Sequence, residues 1–322
     1  MATAPRTSRR LGSHSRGSAA RLSLWWLGSM ALASLIGPAL FPEALTQPSD
    51  GALLPPLSQQ ADGLRHWCGT DKNGQDLLYR LLCGARVSLM VGCLAALISV
   101  GIGTLYGMIS GLVGGRCDRL MMRVLDALNA IPRVLIIMIC IAAFDPLTKQ
   151  ALDGLRLMGQ TRNLPWLISL GSGLLPYSKL LLMIVSLGLV EWLTMARLVR
   201  GQVLLLREME FVTAARAMGQ KPWRILGLHL LPNLRGLILT CLTMTIPAVI
   251  LDESFLSFLG LGIEDPAASW GSLMRDGAGA INPLQSHWWL LLFPACLLTL
   301  SLLALYFITE ALREDQGQGQ VA

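Results

Sequence analysis

The chain has 322 residues, 53% of them apolar and only 14% charged, and 26 Lys/Arg against 20 Asp/Glu give a formal net charge of +6. Soluble domains carry roughly a quarter charged residues, and at a mean hydropathy of +0.55 a water-soluble fold of this size would expose much apolar surface. A disordered chain, a collagen-like repeat and a disulfide-stapled secreted module are excluded, and the balance describes an integral membrane protein.

A helix needs about 20 mostly apolar residues to cross a bilayer. Residues 1–21 form a basic tail with Arg6, Arg9, Arg10, Arg16 and Arg21, followed by an apolar run at 22–41. That run is longer than a signal-peptide core of about 7–15 residues and breaks at Pro42-Glu43, so it reads as an uncleaved anchor. A polar loop completes the segment 22–85. Five further spans are expected at 87–112, 124–144, 180–198, 237–261 and 288–312, within 86–312, and a short tail, 313–322, ends the chain. The stretch 145–179 is polar at first and then carries seven apolar residues at 164–170, too few to cross; it reads as an insert with an interfacial or re-entrant piece. The fold class is all-α, a polytopic bundle of about six spans.

Charge orients the bundle. With the N-terminus inside, sixteen of the 26 Lys/Arg fall on inner segments and nine on outer loops, which supports both termini on the cytoplasmic side. Arg133 is left just inside the third span, where a long side chain can snorkel. The second span carries Gly92, Gly101, Gly103, Gly107 and Gly111, a spacing that lets helix backbones approach closely. The seven cysteines are never closer than ten residues, so no zinc-type spacing exists; Cys68 and Cys83 flank a polar segment and leave a disulfide open. The four histidines are isolated and suggest no metal site.

The inner loop at about 199–235 is unlike a mere connection. Phe211, Ala214, Ala215 and Met218 fall at i, i+3, i+4 and i+7, an apolar helical stripe. Glu210 suits the first turn of that helix, Gly219 its C-terminal stop, and Pro222 the first turn of a second short helix ending at Pro232. Such a face can dock into a groove on a partner, with Phe211 and Met218 as anchors, or lie on lipid headgroups among Arg207, Arg216, Lys221 and Arg224. The pattern alone leaves both open.

Thr213-Ala214-Ala215-Arg216-Ala217-Met218-Gly219, with Leu231-Pro232 beyond, resembles the "EAA" motif of the membrane subunits of ATP-binding cassette importers, with Thr213 where that motif has Glu. Gly69-Thr70-Asp71, Gly74-Gln75-Asp76, Arg80-Leu81-Leu82 and Gly84-Ala85-Arg86-Val87-Ser88-Leu89 resemble the "GTDxxGRDxxSRLLxGARxSL" run of dipeptide, oligopeptide and nickel permeases, in the second of their two membrane subunits. Gln75 and Tyr79 depart from it. The run from Ala196 to Gly201, the run from Ser254 to Gly262 and Ser269-Trp270-Gly271 resemble the same family, so the likeness covers most of 66–275. It implies a permease domain over 86–312 whose loop helix (Glu210, Phe211, Thr213, Ala214, Ala215, Met218, Gly219, Pro232) couples to one or two ATP-binding subunits. It further implies a sister permease, a periplasmic solute-binding protein, a multi-pass place in the bacterial inner membrane, and short peptides or a related solute such as a nickel complex as cargo. ATP and Mg would be used by partner subunits, with no cofactor on this chain and no nucleic-acid partner. The family usually has a shorter connection where 145–179 lies.

Asp252-Glu253 sit deep in the fifth run after Pro247; intramembrane carboxylates are functional candidates by default. Pro247, Asp252 and Glu253 are therefore expected to line a translocation path, unless the pair marks the outer end of a shorter span. Asp71, Asp76 and Arg80 in the outer loop are candidates for contact with a binding protein, or caps for local helices. There is no Walker A, HExxH or GxSxG run and no dinucleotide loop. The competing class is a membrane-embedded enzyme or assembly factor with a lipid-binding loop.

Overall fold

The computed structural model describes residues 8–47, 51–59, 65–263, 267–281 and 286–319. The first seven residues of the basic tail and the last three of the chain lie outside the described residues. Six helices among them are long and apolar enough to cross a membrane, and the only strands described there are a two-residue antiparallel pair. Contacts divide the chain into two compact units, Met1–Met90 with Glu253–Ala322, and Val91–Asp252.

The first unit contains α1 (Ser8–Leu40), α2 (Glu43–Thr46), β1 (Ser58–Gln59), β2 (Arg65–His66) and the opening turns of α3 (Leu77–Val113). The last residues of the helix called α11 below, then α12 (Trp270–Gly279) and α13 (Trp289–Gly319) complete it. Helix α13 packs along α1 and against α12. The α12–α13 approach depends on Gly277, where a Cβ would stand 2.5 Å from the carbonyl carbon of Leu290. Leu77, Leu81, Ala268, Leu273, Trp289 and Leu290 form the core of this unit.

The second unit continues α3, turns through α4 (Gly115–Asn129) into α5 (Arg133–Thr161), and returns as α6 (Pro165–Leu174) and α7 (Ser178–Leu206). Short pieces follow: α8 (Glu210–Ala217), α9 (Pro222–Arg224), a π-helical segment (Ile225–Leu230) and α10 (Leu231–Asn233), before α11 (Arg235–Phe258). The glycine stripe of α3 is a packing device. Gly103, Gly107 and Gly111 face α7, and a Cβ at Gly107 would lie 2.5 Å from the Ala196 carbonyl oxygen. Gly92 faces Ile250 instead, and Gly101 faces open space.

Several expected boundaries move: α3 already starts at Leu77, ten residues before 87, and α7 runs on to Leu206, eight residues past 198. The third span does not start at 124, because 124–129 belong to α4 and the chain breaks at 130–132 before α5. Pro132 has no N–H and holds the preceding residue out of the helical region. Nor does that span end at 144. Pro146 is tolerated inside α5, which runs on to Thr161 with Lys149 and Asp145 paired at 2.8 Å. The apolar stretch at 164–170 lies almost wholly in α6, the second limb of a hairpin with α5. Asn163 takes a left-handed φ of 51° at the turn, and the Leu164 N–H donates to the Gly159 carbonyl at 2.9 Å. Gly159 lies against Leu167 and Ile168, and Gly171 against Leu152 and Arg156. The fifth span ends at Phe258, three residues early, where Gly260 at φ 85° closes the helix with the Leu261 N–H on the Leu256 carbonyl.

Candidate functional site

The loop expected to meet a partner folds as one short helix with two faces. Glu210 stands in the first turn of α8 and Arg216 in the last, each matching the helix dipole. Gly219, at φ 76°, ends it: its N–H donates to Arg216 O at 2.9 Å and the Gln220 N–H to Ala215 O at 3.1 Å. These are the paired bonds of a left-handed helix stop, which glycine adopts without a Cβ penalty. Pro222 opens α9 as expected, and Pro232 lies in α10.

The outward face carries Phe211, Ala214 and Met218, with Met218 71% and Phe211 40% exposed. Ala215, expected on the same stripe, is turned inward with Val212, and both are fully buried. At 100° per residue Ala215 falls between Phe211 and Val212, and its methyl is small enough to be covered. The two pack with Ile225, Leu226, Leu230 and Leu234 and with Val199, Val203 and Leu206 of α7. Thr213 is exposed and returns its hydroxyl to the Met209 carbonyl at 3.3 Å. The helix is therefore mounted on the unit by one face while the other stays open.

Its mounting is braced by charges far apart in sequence. Arg200 donates twice to Asp118, Nε to Oδ1 at 2.5 Å and Nη2 to Oδ2 at 2.6 Å, and Ser110 adds a third donor at 2.5 Å. The Arg200 guanidinium holds the Asp118 carboxyl below the usual carboxylate range, with Ser110 assisting. Arg207 Nη1 donates to the Gly111 carbonyl at 3.2 Å. No spacing rule joins residues 82 positions apart, so sequence reasoning missed this brace.

The paired carboxylates in α11 part company. Glu253 is fully buried and accepts from Ser257 at 2.7 Å, Ser88 at 3.0 Å and Ser254 at 3.3 Å. Ser88 in turn accepts from the Trp270 N–H at 3.3 Å, where Ser269 and Ser272 form a reciprocal cap opening α12. Gly271 lets that helix approach the Ser254 backbone, and Gly262 lies against Ser257. The serines and glycines of these runs thus build a structural junction, and Glu253 faces its centre rather than a path. Glu253→Ala would strand three hydroxyls, at a cost of about 3 kcal/mol. The expected result is a thermal midpoint in detergent lower by about 5 °C or more; an unchanged midpoint would refute the junction's role.

Asp252 points elsewhere. Its Oδ2 lies 3.9 Å from Nη1 of Arg133, which donates to Glu191 Oε1 at 2.6 Å. Arg133 does not simply snorkel as expected, because the structure brings α5, α7 and α11 together there. Pro247 sits within an unbroken α11.

Asp71, Asp76 and Arg80 are buried and serve the loop itself, so direct contact with a partner is not open to them. Asp76 accepts the Tyr79 N–H at 3.1 Å, capping α3, while its Oδ2 meets His66 Nδ1 at 2.9 Å. Asp71 accepts the Asn73 and Gln75 N–H groups at 2.9 Å each and pairs with Arg80 at 3.5 Å; burial pushes its carboxyl up against those partners. Gly69, at φ 86°, leaves no room for a Cβ beside the Leu54 carbonyl. Cys68 and Cys83 are both free thiols. No cluster of metal-ligating side chains occurs among the described residues.

Several known proteins are similar to this chain in sequence. The dipeptide transport system permease protein DppC of Bacillus subtilis is 38% identical over 307 residues, 95% of this chain and 82% of its own. The oligopeptide transport system permease protein OppC of Escherichia coli is 38% identical over 95% of this chain and 88% of its own length. OppC of Haemophilus influenzae is 40% identical over 77% of this chain and 69% of its own. Residues 103–315 match the family described as binding-protein-dependent transport system inner membrane component. With six helices long and apolar enough to cross a membrane and a match over about two thirds of its length, the chain belongs to that family and is a multi-pass transport subunit rather than an enzyme.

Proposed function

We infer that this chain is one membrane half of an ATP-binding cassette importer that carries short peptides across a bacterial inner membrane. The observation that carries the reading is the 38% identity over 95% of the chain to permeases named for dipeptides and oligopeptides. A sister permease completes the pore, a periplasmic binding protein delivers cargo, and one or two ATP-binding subunits use ATP and Mg. Both termini face the cytoplasm, as the excess of Lys/Arg on the inner segments favours. Phe211 and Met218 enter a groove on an ATP-binding subunit, with Glu210, Thr213 and Ala214 around them. The helix stop at Gly219 and the turn at Pro232 hold that face in position. Val212 and Ala215 then pass rigid-body movement into α7 and α11 through the cluster they share. Asp252, five residues after Pro247 in α11, is the carboxylate retained as a path residue. A membrane enzyme or lipid-binding assembly factor is not favoured, since neither accounts for the permease likeness.

The test is purification from native membranes in mild detergent, with mass spectrometry of what remains bound and uptake of radiolabelled di- and tripeptides by reconstituted vesicles. A second permease, ATP-binding subunits and ATP-dependent uptake are expected. A chain recovered alone, in vesicles that accumulate no peptide with ATP and binding protein present, overturns the reading.

A further inference from the structure

Three charged side chains meet in the second unit on three different crossing helices. Arg133 opens α5, Glu191 lies in the middle of α7, and Asp252 lies six residues before the end of α11. The Glu191 and Asp252 side chains are 8% and 15% exposed, while Arg133 is 55% exposed. One guanidinium nitrogen, Nη1, serves both carboxylates: it is hydrogen-bonded to Glu191 at 2.6 Å and stands 3.9 Å from Asp252, beyond hydrogen-bond reach. Asp252 Oδ2 is buried and accepts no hydrogen bond among the described residues. With all three ionised, the cluster carries an excess of one negative charge, held by the carboxylate left without a donor.

A charged group within a bilayer is costly unless it faces a partner or water, and helices interrupted at depth are tolerated only in protein or beside a cavity. The charged cluster of this unit lies beside a break between α4 and α5. The chain leaves helical geometry at 130–132, immediately before Arg133, and Pro132 precedes α5 with ψ 126° and no side-chain cap. Ala130, Ile131, Pro132 and Arg133 are all exposed. The interruption and the half-open ion cluster are two independent features at one place.

Resting on the peptide-importer reading, we propose that Asp252, with its charge set by the Arg133–Glu191 pair, receives the α-ammonium of the transported peptide during passage. An ammonium is a compact three-donor cation. It supplies the donor that Oδ2 lacks and neutralises the excess charge of the cluster. Glu191 acts as a positioning residue: by holding Arg133 at 2.6 Å it keeps the guanidinium from closing on Asp252. Blocking the amino terminus of the peptide removes the charge that the site takes.

The experiment measures equilibrium binding of a tritiated dipeptide to the purified permease complex in detergent without the binding protein. Saturable binding is expected, displaced by the unlabelled dipeptide and not by its N-acetyl derivative. Asp252→Asn should weaken it by about tenfold or more, the scale of a lost charge-assisted hydrogen bond. Asp252→Glu should restore binding to within about threefold of the wild type, a rescue that a purely structural carboxylate would not link to the peptide's amine. Equal displacement by the acetylated peptide, unchanged binding in Asp252→Asn, loss in both variants, or no saturable binding by the wild type each overturns the proposal. The same peptide is also offered to wild-type vesicles with binding protein and ATP. Uptake there with any of those outcomes sinks this inference alone; no uptake sinks the importer reading and this inference with it.

Discussion

Replacing Gly107 by valine is expected to leave little folded protein, because its new side chain has nowhere to go. A Cβ at that position would stand 2.5 Å from the Ala196 carbonyl oxygen, 2.8 Å from Val199 Cβ and 2.9 Å from the Arg200 amide nitrogen. Two of those atoms are backbone, so relief requires α3 and α7 to separate rather than a rotamer to change. Overpacking a well-fitted interface costs about 1–3 kcal/mol when side chains can yield, and the upper end or beyond applies here. The Gly103 and Gly111 contacts lie on the same line, so the separation would propagate along the pair. Gly101→Val is the matched control, since a Cβ there meets nothing within 4 Å. Monodisperse yield and thermal midpoint after extraction check the pair: Gly107→Val should fail on both and Gly101→Val on neither. Equal behaviour of the two would show that the stripe does not set the helix distance.

The second large effect is expected at the open face of α8. Phe211→Ala with Met218→Ala removes the two large side chains of that face while leaving Val212 and Ala215 in the cluster that mounts it. Central anchors of an interface contribute about 2 kcal/mol or more each, so on the proposed docking of α8 the double variant should bind ATP-binding subunits at least about a hundredfold more weakly. The membrane part should extract as the wild type does, and ATP-driven uptake should be lost. Val212→Asp separates the faces: it places a charge in the buried cluster and should lower the thermal midpoint, the opposite signature. Normal recovery of ATP-binding subunits with the double variant would remove Phe211 and Met218 from the interface.

Much of this was legible because hydropathy counts helices well in a membrane protein, and glycine and proline punctuate them. Gly219 and Pro222 marked the limits of α8 and α9 in advance, and the α3 glycines announced a close helix contact. Other features lay in relations that a linear reading does not carry. Arg133, Glu191 and Asp252 come from three helices, and nothing in their spacing says that they meet. Asp252 and Glu253 are adjacent in sequence yet about 100° apart around α11, so one shares an arginine and the other is sealed among serines. The outer-loop acids looked like a contact surface because they are charged, but their backbone and histidine partners consume them. The α5–α6 turn did leave a trace in Asn163 followed by Pro165, a helix stop beside a helix start, but the polar residues before it suggested a loop.

That hairpin has a consequence for the lengths the chain tolerates. Its limbs are closed on each other by Gly159 and Gly171, and its tip is the three-residue link 162–164. Trimming or extending both limbs by matched whole turns would keep their mutual register and leave Arg133, more than six turns from the tip, untouched. The finger is thus a segment whose length can change without moving the charged cluster.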